Sequence, residues 1–486
     1  MDFAASAVGF LAKRITKVGG KRAKKSPPPQ LPDGVFDKVS EAKSEFFTMG
    51  FGKAQTMPDE PIPGKKKYYV AGYRAFNPAI GVLDPMMAKA VWIDDNSGRG
   101  GLVFCAVDCV GLFKYDVDRV KAELADFVKE TGCRCMNICS THNHAGIDTM
   151  GMWGPIPRSG RSEAFMRKVY DGIKAAIKDA YADRREGSLY LGYGKADEGM
   201  QRDDRKPQVF SDALTRLRFV PNDGTRQIYF VNFASHSESL EGKNSLVSAD
   251  FPAYIAEEVM RQKGAELCYF VGAIGGLVRM WPMDEDNVIS TKKTGKRLGE
   301  ILCGIKEADE IRLSPKISFI KQEFYVEAEN PVLISAAKFL KLIPAVPVYL
   351  GSGALNVGLK TEMTYVEIDS LKMVFLPGEL FPELAYGGYL SAEESADGLD
   401  PSINPKTLCE IAGDDKLLVF GLSNDEIGYI PAPNDFHLHP DKPYLDKHND
   451  RLDRRHYEET NSMGPNTAYF IANTFQKLID AAHATK

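Results

Sequence analysis

At 486 residues, with 44% hydrophobic and 26% charged residues, the chain carries ample apolar material for one large domain or several smaller ones. A net charge of -5 leaves no footprint for a nucleic-acid partner, and no stretch is long and apolar enough to span a membrane. The eight cysteines are scattered, show no CxxC spacing and sit mostly in apolar runs, which fits small buried hydrophobes in a reducing cytoplasm.

The first element in chain order is a basic amphipathic helix. Ala4, Val8, Leu11, Ile15 and Val18 share one face. Lys13, Arg14, Lys17, Lys21, Arg22, Lys24 and Lys25 follow the apolar part, the reverse of a secretory leader, so no signal peptide is evident. Such a helix can lie on a membrane. The preferred expectation is packing on its own domain or on a second subunit, which leaves a homo-oligomer open. Ser26 to Gly34, rich in proline, reads as an extended linker. Residues 1–35 are therefore expected to form an arm and linker, and residues 36–486 a single domain.

Beyond the linker, Gly50 to Ala54 leads into a loop rich in Pro and Lys. Ala88–Asp94 and Gly101–Asp108 read as paired strands joined by a turn at Asn96-Ser-Gly98. Tyr115 to Thr131 and Glu163 to Tyr181 have a helical period, and Cys135 to Cys139 reads as a strand. Strands are expected around Tyr190, at Leu217–Val220, Ile228–Phe233 and Glu266–Val271, and again at Thr364–Ile368 and Leu371–Leu376, with a helix at Ala253–Lys263. The alternation predicts an α/β protein with mixed β-sheets and flanking helices, and no internal repeat is visible.

The chemistry gathers at the ends of these strands. Cys139-Ser-Thr-His142-Asn-His144-Ala-Gly146 holds two of only eight histidines one residue apart. In an extended backbone, residues i and i+2 point to one side, so both imidazoles can aim at one cation. Phe233-Ala-Ser-His236-Ser-Glu238, Pro377-Gly-Glu379, Ser423-Asn424 with Gly428-Tyr429, and His456-Tyr457-Glu458 add a histidine, a carboxylate and two phenols. Singly, His236 could be a satisfied core histidine, Glu379 a helix cap and Tyr429 a packing residue. Their shared placement at strand ends, where open α/β sheets bind ligands, favours a site.

These segments, in this order, resemble the neutral (alkaline, non-lysosomal) ceramidase family of zinc amidohydrolases, from about Gly50 to the C-terminal region. The resemblance implies a neutral-ceramidase-like catalytic domain with Zn2+ held by His142, His236, Glu379 and Tyr429. It implies that His144 handles protons, that Tyr457 bonds the tetrahedral intermediate, and that Arg202 is the arginine at the site. Two imidazoles and a carboxylate are a hydrolytic zinc set. The chain departs from the family at Gly275, where the family carries a serine, and at Asp203-Asp204-Arg205. It also leaves no room beyond Lys486 for the family's immunoglobulin-like domain. These departures point away from membrane ceramide toward a smaller or more soluble amide. The resulting expectation is hydrolysis of a linear or cyclic amide, small or lipid-like, by metal-activated water. Ester or lactone hydrolysis, true ceramidase activity and a non-catalytic binding role stay open, and the loops Thr149 to Arg161 and Pro282 to Thr291 are expected to shape the pocket.

Overall fold

The computed structural model describes residues 3–155 and 157–484. Strands Phe47–Gln55, Met87–Asp94, Leu102–Val107 and Cys135–Ser140 pair in that order. The last two are parallel and are joined by helices Lys114–Glu123 and Ala125–Thr131, followed by helix Glu163–Ala182. The same sequence of elements then recurs. Strands Arg185–Lys195, Ala213–Pro221, Ile228–Phe233 and Glu266–Val271 pair in order, the last two parallel around helix Phe251–Lys263, followed by helix Asn287–Gly304. The two units join where Phe47–Met49 lies antiparallel to Arg185–Gly187, and Ile311–Leu313 completes a nine-stranded sheet. The duplication, not expected from the sequence, also shows at the residue level: Gly50-Phe-Gly-Lys53 of one central strand matches Gly192-Tyr-Gly-Lys195 of the other, and a Cβ at Gly192 or Gly194 would stand 2.9 Å from Ile305 or Ile301. In Phe47–Gln55, Gly50 and Gly52 let helix Glu163–Ala182 sit on the strand: a Cβ there would lie 2.2 Å from Ala180 O and 2.1 Å from Ala176 O. The same glycines hide this strand from a period-two reading.

A second sheet of Ile317–Glu327, Val357–Ile368, Leu371–Phe375 and Leu418–Phe420, with Val348–Tyr349 at its side, packs on the first. Alternation along Met87–Asp94 sends Trp92 toward helix Glu163–Ala182, and sends Val91 and Ile93 into the space between the sheets. Phe104 stacks on Phe375 at 5.2 Å, and Phe375 on Phe420 at 4.3 Å, across and within the sheets. Burying each such ring contributes about 1.5–3 kcal/mol. Helix Thr467–Ala484 covers the outer face of the second sheet through Phe475 against Tyr365. The layers are therefore helix, sheet, sheet, helix, within the mixed α/β class predicted.

Local differences have local causes. The helix expected over 115–131 breaks at Leu124, whose N–H is shared between Val120 O and Lys121 O. Within the expected loop 282–291, Asp286 caps a helix starting at Asn287 by accepting from Ile289 N–H. Helix Phe3–Lys25 packs on helix Pro331–Lys338 and on the second sheet, with Ile15 and Ala23 buried, so the arm docks on its own chain. All eight cysteines are free and buried, and no described helix is long and apolar enough to cross a membrane.

Candidate active site

Both sheets deliver side chains at one edge. Strand Cys135–Ser140 ends before the histidine pair, and His142 adopts a left-handed φ of 54°. The two imidazoles therefore meet through a turn, not through the strand alternation that the spacing suggested. That turn is laced to its neighbour: His144 N–H donates to Ser237 O at 2.9 Å, and Ser237 Oγ donates to Thr141 O at 2.9 Å. His236 follows strand Ile228–Phe233. Glu379 and Tyr429 stand opposite each other in a short parallel pairing of Glu379–Leu380 with Tyr429–Ile430. Asn424 ties the sheets together here, since its Oδ1 accepts from Ile138 N–H at 3.0 Å and its Nδ2 donates to Asn137 Oδ1 at 2.9 Å. Ser423 and Asn424 are thus scaffold for the site.

At the centre, the ring nitrogens of His142, His144 and His236 lie within 4.8 Å of one another, all buried. His142 Nδ1 bonds Val110 O at 2.8 Å and His236 Nδ1 bonds Val278 O at 2.9 Å, which turns both Nε2 lone pairs inward. Glu379 Oε2 lies 3.2 Å from His142 Nε2 and 3.1 Å from His236 Nε2. His144 Nε2 faces His142 Nε2 at 3.0 Å. Buried lone pairs and a carboxylate converging on one point, with few protons to share, are what a zinc ion satisfies. The residues fit that metal, with His142 and His236 common to the candidate sets, Glu379 or His144 as a third ligand, and Tyr429, paired opposite Glu379 and lining the same cavity, as the further ligand the resemblance implies.

Burial and the neighbouring imidazoles His142 and His236 push His144 well below the usual histidine range. Burial alone would raise Glu379, but the same two imidazoles hold it below the usual carboxylate range. Burial alone would lower His236, but its bond to Glu379, the charges of Glu238 and Glu379 and its bond to Val278 together raise it. Behind His144, Glu238 Oε2 lies 3.3 Å from Nδ1 and accepts from Tyr73 OH at 2.8 Å. Glu238 lay inside the His236 segment read from the sequence. Tyr73 carried no signal there. Tyr457 stands 6.2 Å from Tyr429, ring to ring and nearly perpendicular.

These groups open into a cavity of about 860 Å³. His142, His144, Glu379, Tyr429 and Tyr457 line it, with Val110, Phe113, Trp153, Leu333 and Ile343 on an apolar side. The loop from Thr149 contributes Met150, Met152 and Trp153, whereas nothing from 282–291 lines it; residues 333–345 take that place.

One expectation needs correction, and the departure at Gly275 finds its place. Arg202 does not line the cavity: it pairs with Asp204 at 2.7 Å and lies 4.2 Å from the Trp281 ring. Arg205, three residues on, does line it, buried and bonded to Glu458 at 3.0 Å and Glu459 at 2.6 Å beside Tyr457. Gly275, where the chain departs from the family's serine, is not among the cavity-lining residues either. Its N–H donates to Leu380 O, and a Cβ there would stand 2.2 Å from the Phe381 ring and 2.8 Å from Glu379 O. Its bareness lets the Glu379 strand close down. A second buried group, Asp435, Asp450 and His456, also brings ligand atoms together, but Arg205 and Arg454 already neutralise it.

No model of a protein family and no curated protein matches the chain. Solved structures do match in shape. The neutral ceramidase from Pseudomonas aeruginosa superposes with a TM-score of 0.68 at 16% identity, over 91% of this chain and 75% of that one. A ceramidase complexed with C2 gives 0.66 at 16% identity over the same shares. The chain has the fold of neutral ceramidase, as a distant, ceramidase-like variant of it.

Proposed function

We propose that the protein is a zinc-dependent hydrolase that cleaves the C–N bond of a lipid-like amide. The observation that carries this reading is the convergence of His142, His236 and Glu379, two of which, His142 and Glu379, line a cavity with an apolar side. Zinc held there would lower the pKa of a water and polarise the scissile carbonyl. His144, kept neutral by burial and its neighbours, would accept a proton from the attacking water and return it to the leaving nitrogen as the C–N bond breaks. Glu238, 3.3 Å from His144 Nδ1, stands behind that ring. The Tyr457 hydroxyl, kept protonated by burial and by Glu458, donates to the developing oxyanion. Arg205 holds the Tyr457 turn through Glu458 and Glu459 and takes the supporting role assigned to Arg202 from the sequence.

The substrate follows from the walls. Val110, Phe113, Met150, Trp153, Leu333 and Ile343 suit an acyl chain, and the case against ceramide that leaned on Gly275 loses its ground because Gly275 backs the Glu379 strand. The neutral ceramidase likeness favours the amide over the ester reading. A panel of long-chain amides (ceramide among them), short soluble amides and matched esters tests this. The expected order of kcat/KM is long-chain amide, then short amide. Faster turnover of the short amide or of the ester would contradict it.

A further inference from the structure

The helix Phe3–Lys25 contains no acidic residue and seven basic ones. At about 100° per residue, Ile15, Gly19 and Ala23 form the edge packed on the domain, while Phe10, Lys13, Lys17 and Lys24 fall on the opposite side, flanked by Arg14 and Lys21. All six of these are exposed, and Lys13, Arg14, Lys17, Lys21 and Lys24 have no carboxylate partner among the described residues. Phe10, 65% exposed, is a large apolar side chain on the same outward face.

The neighbouring segment shares this character. The arm packs on helix Pro331–Lys338, and its Arg22 reaches Tyr349 at 3.2 Å, where Lys338 also bonds. Directly after that helix, Phe339 and Leu340 are 43% and 56% exposed, and Val346 is 64% exposed, with Lys341 among them. Between these outward side chains, Ile343 and Ala345 turn inward and line the cavity, as do Leu333, Ile334 and Ala337 of the helix. One short stretch therefore has an apolar outer surface and an apolar cavity wall as its inner surface, beside a band of unneutralised cations.

We propose that helix Phe3–Lys25, together with the Phe339–Val346 segment, docks the protein on an anionic lipid bilayer. Lysines near such a surface attract its headgroups, and exposed phenylalanine and leucine enter the acyl boundary. Charge complementarity selects the occupant: the overall charge of -5 would repel an anionic surface elsewhere, so the basic band fixes the orientation. In that orientation the cavity wall lies against the source of acyl chains. Docking goes beyond the amide-hydrolase reading and is measured without turnover, so either can fail alone.

The test is co-sedimentation of the full chain with phosphatidylcholine vesicles, with or without phosphatidylserine. Binding is expected only with phosphatidylserine and is expected to fall as salt rises. Lys13→Glu, Lys17→Glu, Lys21→Glu and Lys24→Glu together should lower the partition coefficient about a hundredfold or more. Leu340→Ser with Val346→Ser should lower it about tenfold while keeping its salt dependence. If the quadruple variant does not melt like the parent, Lys13→Gln with Lys17→Gln replaces it, with about a tenfold loss expected. Equal binding to both vesicle types, binding that survives the charge changes, or retention by duplex RNA without vesicle binding would overturn the proposal.

Discussion

His142 holds a left-handed backbone, at a cost of about 1 kcal/mol or more. Its Nδ1 bond to Val110 and the lacing of Thr141 to Ser237 fix it there, so the strain is spent on aiming Nε2 at Glu379 and His236. Replacing His142 with Ala should abolish metal and turnover together. Replacing His144 with Ala should leave most of the metal and cost about a hundredfold to ten-thousandfold in rate. Metal analysis and kinetics on the two variants decide between the two ligand sets, since equal metal loss would make His144 a ligand. Gly275 gives a second test at this scale. A serine there must displace Phe381 or the Glu379 carbonyl, so Gly275→Ser should cost about 1–3 kcal/mol in stability and lower zinc content, read by thermal melts and metal analysis. An unchanged melt and full metal would show that the strand has room.

The elements that carry the ligands depend on the seam between the sheets. Asn424, itself at a φ of 63°, bonds Ile138 and Asn137 from the turn after Leu418–Phe420, which registers the Tyr429 loop against the His142 loop. Asn424→Ala leaves buried groups unpaired and should cost about 2–4 kcal/mol by denaturant unfolding. A loss under half of the lower figure would assign the registry to Ser423 and the short Glu379–Tyr429 pairing instead. Helix Pro382–Tyr386, next along from Glu379, buries Glu383, whose carboxyl is pushed up to about 8 by burial and by Asp435 against the pull of Arg205. In the unfolded chain it titrates near 4.3. The folded state therefore binds the proton more tightly, and stability falls as pH rises from about 4.3 to about 8. Glu383→Gln should remove this slope: its melting temperature should gain on the parent's as pH goes from 5 toward 8. A constant difference across that range would contradict the shift.

At the scale of the whole molecule, two packed sheets give one edge at which Cys135–Ser140, Ile228–Phe233, Leu371–Phe375 and Leu418–Phe420 all end. Cys135–Ser140, Ile228–Phe233 and Leu371–Phe375 were legible because they are short apolar runs with clear stops, and the motifs were legible because the site lies just past such stops. Strand Phe47–Gln55 was obscured by the glycines that admit its helix. The duplicated topology left only a short residue pattern, Gly50-Phe-Gly-Lys53 against Gly192-Tyr-Gly-Lys195, which gains meaning once the pairing order is known. Arg205 was passed over for Arg202 because spacing along a segment does not say which side chain turns inward, and Tyr73 joins Glu238 only through the fold. The cavity wall from 333 to 345 likewise has no local code.

The central claim is that the centre at His142, His236 and Glu379 holds zinc and that amide cleavage depends on it. The most direct test is release of fatty acid from a fluorescent long-chain amide by the purified full chain, with metal content followed through chelation and reloading. The account predicts about one zinc per chain, release that stops when the metal is stripped, and recovery on adding zinc. Release that continues undiminished in metal-free protein, or a metal-loaded protein that cleaves no amide of the panel, would contradict it.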